Sequence, residues 1–177
     1  DMVKKLNEEW NIILENNLNE ILQDDKVKQV ETILYKKNYD KLMNERIFKQ
    51  FIKIDKYKQE YEDLKRNEGK VTPQEFMIEK YSINFMIDKL DEKSKNQAFK
   101  LTKKMLGNIE NSSKFNLRSP SHKKILFIDL MGLEPITYND VSKTTGERTP
   151  KTDKEFMNKY SYIDLVDKIR EYSYMLK

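Results

Sequence analysis

The sequence of 177 residues contains no cysteine, only four glycines and four prolines, and no long apolar run. The lack of cysteine excludes disulfides and thiolate metal sites, and it favours an intracellular setting. No apolar run reaches the roughly 20 residues of a membrane helix, and the N-terminus lacks the apolar centre of a signal peptide. We therefore expect a soluble, cytoplasmic protein with no membrane partner, found in the host cytoplasm if the source is viral.

Charge is what the sequence has in abundance, since 36% of the residues are charged against 37% that are hydrophobic. So few apolar residues, with so little glycine and proline, favour long amphipathic helices that each bury one stripe and leave the remainder solvated. We predict an all-α fold, an elongated bundle of long amphipathic helices with an irregular basic tip loop.

Apolar residues recur at helical spacing along most of the chain. Asn38 is predicted to be a turn, and Thr72 and Glu75 form a capping box before Pro73. The predicted helices cover residues 2–24, 25–37, 39–66, 73–81, a long stretch that carries Ile87 to Ile109, and residues 162–177, with an interruption expected at residues 82–84.

Residues 115–133 carry the clearest local signals. Ser119 can cap a helix through its hydroxyl, Pro120 fits the first helical position, and Gly132 can end a helix in the left-handed conformation. These residues predict a short helix from Pro120 to about Met131. Residues 134–150 are polar and lack periodicity, which predicts a long, mobile surface loop. A second capping box, Thr152 with Glu155, is predicted to open a short helix after this loop.

The positive charge is concentrated in one part of the sequence. The whole chain has a net charge of +4, and the segment from Lys114 to Lys154 has eight basic residues against five acidic ones, a net charge of +3. A near-balanced total indicates little about nucleic acid, whereas this local excess marks a candidate binding region.

Catalytic signals are absent from the sequence. The single histidine, His122, has no cysteine or triad partner, so a surface or capping role is favoured over that of a base. No phosphate-binding loop, dinucleotide fingerprint or zinc-protease motif occurs, and the carboxylates lie beside lysines as on solvated helix faces. We predict no catalytic residue, no metal site and no cofactor in this chain.

Three motifs follow one another in the second half of the sequence. The first is Phe-Asn-x-x-Ser-Pro at residues 115–120, followed by Leu126-Phe127 and a Leu-x-Gly-Leu ending at Leu133. The second is a loop with Thr144-Thr145-Gly146, then Lys151-Thr152 before a helix, and the third is the helical run at residues 169–177. Their order and spacing resemble the thumb subdomain of family A DNA polymerases, over roughly residues 82–177 and most strongly from Phe115 onward.

The resemblance implies a helical element that lies along the minor groove of the primer-template duplex and contacts its sugar-phosphate backbone. The residues that match DNA-contacting positions of the family are Asn116, Ser119, Thr152 and Lys177. Charge and location alone add Arg118, Lys143, Arg148 and Lys151 as candidate DNA contacts. The implied partners are double-stranded primer-template DNA and the remainder of a polymerase, whose palm would hold Mg²⁺ outside this sequence.

The resemblance is incomplete. Ser173 stands where the family usually has arginine, and His122 stands where glutamine is common. Residues 1–81 match no part of the family, so they are expected to be a nuclease-domain remnant or an insertion, with residues 82–177 as the thumb-like region. The last predicted helix lacks a terminating residue, so we expect a fragment of a longer polymerase that is not catalytic alone.

A second interpretation has no role for DNA. Residues 1–66 could form a helical protein-interaction module, with Trp10, Phe48 and Phe51 as anchors in a partner's groove. An autonomous nuclease ranks third, because no spaced acidic motif stands out. The motif at residues 115–120 also has a purely structural interpretation, in which Phe115 is core and Ser119 is a plain helix cap, and this is compatible with DNA contact.

Overall fold

A computed structural model describes residues 2–67, 71–143 and 145–176 of the protein. They form ten α-helices and one π-helical segment without a strand, which confirms the predicted all-α class. The helices are α1 (Met2–Gln23), α2 (Asp25–Phe51), α3 (Asp55–Arg66), α4 (Pro73–Lys80), α5 (Ile83–Lys89), α6 (Glu92–Phe99), α7 (Lys103–Ser112), α8 (Pro120–Lys124), α9 (Lys154–Lys159) and α10 (Asp164–Met175), and the π-helical segment is Ile125–Leu130.

The chain divides into two compact units. The first unit comprises Asp1–Leu34 and Lys114–Lys177, and the second comprises Tyr35–Ser113. Helix α2 contributes residues to both units. The predicted boundary after residue 81 lies inside the second unit, so the two units differ from the predicted segments 1–81 and 82–177.

The first unit has one core, to which α1, α2, the segment before α8, the π-helical segment, α9 and α10 contribute. Helices α1 and α10 run antiparallel, because Glu20 pairs with Lys168 at 3.1 Å while the Asn17 amide donates to the sulfur of Met175 at 3.5 Å. The fully buried core side chains are Ile21, Val27, Val30, Leu126, Phe127, Phe156, Val166 and Ile169.

The second unit is built around α2 and an aromatic cluster. Phe51, at the end of α2, is fully buried, and its ring stacks on Tyr57 of α3 with centroids 4.1 Å apart. The prediction of a continuous helix over residues 39–66 is wrong, since α2 ends at Phe51 and α3 begins at Asp55. Residues six apart lie on different faces of a regular helix, so the break allows these two rings to meet.

Helix α2 instead continues through Asn38, where a turn was predicted. The Asn38 amide donates to the hydroxyls of Ser112 and Ser113, at 3.2 and 3.0 Å. These bonds at the end of α7 satisfy a side chain that would otherwise favour a turn, because asparagine disrupts helices by bonding to its own backbone.

Side-chain caps divide the rest of the second unit into short helices. The Thr72–Glu75 capping box forms as predicted, and Ser82 caps α5 at the expected interruption. The prediction of one long helical stretch from Ile87 to Ile109 is wrong, because Asp91 caps α6 and Thr102 caps α7. None of the described helices is both long and apolar enough to cross a membrane.

Candidate nucleic-acid interface

The capping turn, Asn116–Ser119, connects the core of the first unit to α8. Phe115 and Leu117 are buried, whereas Asn116 and Arg118 are exposed. This alternation fixes the turn to the core through two apolar side chains and leaves the two polar side chains in solvent.

Hydrogen bonds fix the backbone of the capping turn. The Arg118 N–H donates to Asn116 Oδ1 at 2.9 Å, the Ser119 N–H donates to the Asn116 carbonyl at 3.0 Å, and the Asn116 N–H donates to His122 Nδ1 at 3.0 Å. In the described residues, neither the NH₂ group of Asn116 nor the guanidinium of Arg118 has a partner. Both groups are therefore positioned donors available to a ligand.

The helix that follows the turn has the predicted ends. Ser119 Oγ accepts the His122 N–H at 3.4 Å, which confirms Ser119 as the cap, and Pro120 occupies the first turn. Gly132 has a φ of 68°, and its N–H donates to the Ile128 carbonyl at 3.2 Å, as in an αL ending. The π-helical winding of its second half was not predicted.

His122 has a structural role in the capping turn. Its ring is half-buried, and its centroid lies 6.1 Å from that of Phe115. Burial lowers the pKa of His122 below its ordinary value, which favours the neutral ring that can accept the Asn116 N–H. No sequence motif indicates this bond, since the two residues lie six apart across a turn.

The tip, residues 134–153, is a loop whose two arms pair through the backbone. Tyr138 and Pro150 form an antiparallel bridge, and the Asn139 N–H donates to the Thr149 carbonyl at 2.8 Å. Nearer the end, the Ser142 N–H donates to the Glu147 carbonyl at 2.9 Å. The predicted loop is thus present in the described residues, but it is a paired hairpin without regular strands, and its predicted mobility stays a prediction.

The cations of the tip differ in exposure. Lys143 and Arg148 are exposed, whereas Lys151 is half-buried, and none of their charged groups has a partner in the part of the chain that the structure describes. The tip has three cations and four carboxylates, a net charge of −1, so the segment predicted to be basic is close to neutral. The excess positive charge lies instead at residues 114–124, which have four cations and no carboxylate.

Thr152 does not form the predicted capping box. Asp153 is the cap of α9, and its Oδ1 accepts the Phe156 N–H at 3.2 Å. Thr152 is only 4% exposed, and its hydroxyl has no hydrogen-bond partner among the described residues. In this conformation the hydroxyl is buried, and the DNA contact that the resemblance implies for Thr152 stays a prediction.

The helical segments that follow the capping turn and the tip pack on each other in the first unit. The ring of Phe127, just after α8, packs on that of Phe156 in α9, with centroids 5.7 Å apart. Burial lowers the pKa of Lys123, and the nearby charge of Asp153 opposes this shift. Lys123 of α8 was not predicted as a site residue, although it interacts with the charge of Asp153 at the end of the tip.

The remaining predicted features concern residues near the C-terminus, Thr144 in the tip and the absence of a metal site. Lys177 and Thr144 are outside the described residues, so the structure does not place the predicted Lys177 contact. Ser173, where the family usually has arginine, donates its hydroxyl to the Ile169 carbonyl at 2.7 Å. Over the described ranges, no group of three or more histidine and carboxylate side chains is arranged to hold a metal ion.

Comparisons of this chain with protein-family models, with curated proteins and with solved structures find no match. The functional assignment therefore depends on the geometry above and on the order of the sequence motifs.

Proposed function

We propose that this chain is the thumb region of a family A DNA polymerase and that it grips the primer-template duplex through the sugar-phosphate backbone. The observation that carries the proposal is the capping turn. Its backbone is fixed by hydrogen bonds, while the Asn116 amide and the Arg118 guanidinium remain unpaired in the described residues and exposed.

The chemistry of this surface suits DNA of any sequence. A polymerase must hold every template equally, so its grip on the duplex should use phosphate contacts, which carry no base information. The amide NH₂ of Asn116 and the guanidinium of Arg118 supply donors and charge for phosphate. Residues 114–124 contain no carboxylate, although Asp129 pairs with Lys124 at 3.2 Å.

The tip adds separate cations to the same unit. The paired arms hold Lys143 near the turn of the hairpin and Arg148 on the returning arm, both exposed. The four carboxylates of the tip offset the charge of its three cations. The tip therefore contributes through the positions of these cations and not through a broad attractive field.

Fluorescence anisotropy with a labelled primer-template duplex, measured over a series of salt concentrations, tests the proposal. Asn116→Asp keeps the oxygen that accepts the Arg118 N–H and replaces the NH₂ donor with a negative oxygen. We expect this variant to bind DNA much more weakly while its turn is retained. Arg118→Glu should also reduce the slope of log affinity against log salt, by about one per lost phosphate contact.

A charge-matched pair of triple variants separates local contacts from net charge. One variant carries Glu at Lys143, Arg148 and Lys151, and the control carries Glu at three exposed lysines of the second unit, Lys36, Lys103 and Lys104. Both change the net charge by the same amount. The tip variant should lose affinity well beyond the control, and equal losses would show that the tip makes no specific contact.

A second candidate function is protein interaction through α1. The apolar stripe of this helix is exposed in its first half, at Val3, Leu6, Trp10 and Ile13, with Trp10 47% exposed. Phe48 and Phe51 are buried in the second unit, so the prediction that they are partner anchors is wrong.

The single tryptophan of the chain makes this second function testable. Ile12, exposed on the other side of α1, provides a matched control for Ile13. If α1 binds a partner, Ile13→Glu should abolish partner binding and the accompanying shift of Trp10 fluorescence, while Ile12→Glu should retain both. Equal behaviour of the two variants would exclude the stripe as the binding surface.

A further inference from the structure

His122 is a titratable side chain that holds the capping turn. Its Nδ1 accepts the Asn116 N–H at 3.0 Å, and its own backbone N–H donates to Ser119 Oγ at 3.4 Å. The ring is half-buried beside Phe115. One residue is thereby connected to both ends of the turn.

The other bonds of the turn do not depend on protonation near neutral pH. The Arg118 N–H donates to the amide oxygen of Asn116, and the Ser119 N–H donates to a backbone carbonyl. Only the imidazole acceptor can be lost by titration, because a protonated ring has an N–H on both nitrogens and no lone pair for the Asn116 N–H.

We propose that neutral His122 is a positioning residue, which orients Asn116 for phosphate contact by accepting its backbone N–H, and that protonation of His122 releases the turn. This inference depends on the proposed function only for the phosphate contact. The connection between ring and turn is a property of the free protein.

The charged groups near the capping turn do not set the protonation of His122. Glu31 of α2 accepts the Phe115 N–H at 2.9 Å, and the charge of Asp153, at the start of α9, acts to raise the pKa of Lys123 against the larger effect of burial. Burial is the cause that lowers the pKa of His122. The first turn of a helix also disfavours a cation, because the helix dipole is positive there.

The first test uses NMR on the free 177-residue chain. Because His122 is the only histidine, its imidazole signals are unambiguous. We expect the backbone amide of Asn116 to shift on acidification with the same midpoint as the His122 ring, below the ordinary value of about 6.5. An Asn116 amide that ignores the His122 titration would overturn the proposal.

The second test measures DNA binding at neutral pH. His122→Phe keeps an aromatic ring without an acceptor, and His122→Gln supplies an acceptor that does not titrate. We expect His122→Phe to weaken primer-template binding about as much as Asn116→Asp, and the double variant to bind no worse than either single variant, as expected for residues that act as a unit. His122→Gln should retain binding, and its Asn116 amide should show no midpoint.

The outcomes separate this inference from the proposed function. Wild-type binding of DNA by His122→Phe, or additive losses in the double variant, would refute the positioning role. If the wild-type chain binds no DNA although ring and amide titrate together, the proposed function fails and the phosphate role of Asn116 fails with it. If His122→Phe does not fold, His122→Gln and the NMR titration still test the positioning role of His122 separately from the proposed function.

Discussion

The capping turn and the tip were both predicted to contact DNA, yet they are held in different ways. Side chains fix the capping turn, through the buried ring of Phe115, the half-buried ring of His122 and the cap at Ser119. Backbone bonds between its two arms hold most of the tip, with most side chains in solvent. The turn is therefore a rigid element supported by the core, and we expect the tip to open locally at a lower free energy.

The capping turn and the tip also differ in charge. Residues 114–124 carry four cations and no carboxylate, whereas the tip carries three cations and four carboxylates. Long-range attraction of phosphate should come mainly from the side of the capping turn, and the tip should act only in close contact. A predicted basic loop thus becomes a nearly neutral hairpin beside a basic helix start.

The largest expected effect comes from removing the core that supports the capping turn. Phe127→Ala deletes a fully buried ring that stacks on Phe156, and such truncations cost about 3–5 kcal/mol. Hydrogen exchange read by mass spectrometry should show lost protection at residues 120–133 and 154–170. Tyr162→Ala, which removes a largely exposed ring, should stay within about 0.5 kcal/mol of the wild type. Unchanged protection in Phe127→Ala would show that this core does not support the turn.

Two glycines with similar backbone conformations, one in each region, allow a comparison in which a smaller loss of stability is expected. Gly132 ends the helix after the capping turn and Gly146 lies in the tip, with φ values of 68° and 71° and open space around an added Cβ. Alanine at either position should therefore cost only the backbone strain of the left-handed conformation, about 1–2 kcal/mol. In urea denaturation, we expect Gly132→Ala to lower the free energy of unfolding by this full amount and Gly146→Ala to lower it by less. The tip can open locally, and in the open state residue 146 need not adopt the left-handed conformation.

Gly107 provides the control for this comparison. It lies inside α7, has no positive φ and has open space around an added Cβ. Gly107→Ala should stabilise the helix by about 0.5–1 kcal/mol, since alanine loses less backbone freedom on folding. Equal destabilisation by Gly132→Ala and Gly146→Ala would contradict the difference in rigidity between the turn and the tip.

The sequence predicted those local structures that depend on neighbouring residues. Ser119 with Pro120, and Thr72 with Glu75, are caps whose partners lie within one turn, and both form. Gly132 likewise ends its helix without help from distant residues. The caps Asp91 and Thr102 were overlooked because apolar periodicity continues on both sides of them, so only the packing of the second unit reveals the breaks.

The predictions that were wrong or missing concern features that depend on tertiary packing. Thr152 and Asp153 are adjacent residues that could each cap α9. Because Thr152 is buried, Asp153 is the residue that accepts the Phe156 N–H. The bond from the Asn116 N–H to His122 Nδ1 depends on the path of the chain around the turn, for which the sequence has no local signal. The exposure of Asn116 and Arg118 on either side of the buried Leu117 follows from alternation. That their donor groups lack partners among the described residues is visible only in the structure.

The smallest expected effect concerns Thr152, at the end of the tip. Its buried hydroxyl has no partner among the described residues, and leaving a hydroxyl unsatisfied in the interior costs free energy. Thr152→Val keeps the shape and removes the hydroxyl, so we expect the free energy of unfolding to rise by up to about 1 kcal/mol in urea titrations. Thr152→Ser, which keeps the hydroxyl and loses a buried methyl group, should instead destabilise the protein.

DNA binding by the same two variants decides between burial and contact at this position. If the hydroxyl remains buried in the complex, Thr152→Val should bind primer-template DNA as the wild type does, while Asn116→Asp binds weakly. A loss of about tenfold or more in Thr152→Val, with stability unchanged, would mean that the tip rearranges on DNA and exposes Thr152. In that case the difference between a rigid turn and an opening tip would itself be part of how the duplex is gripped.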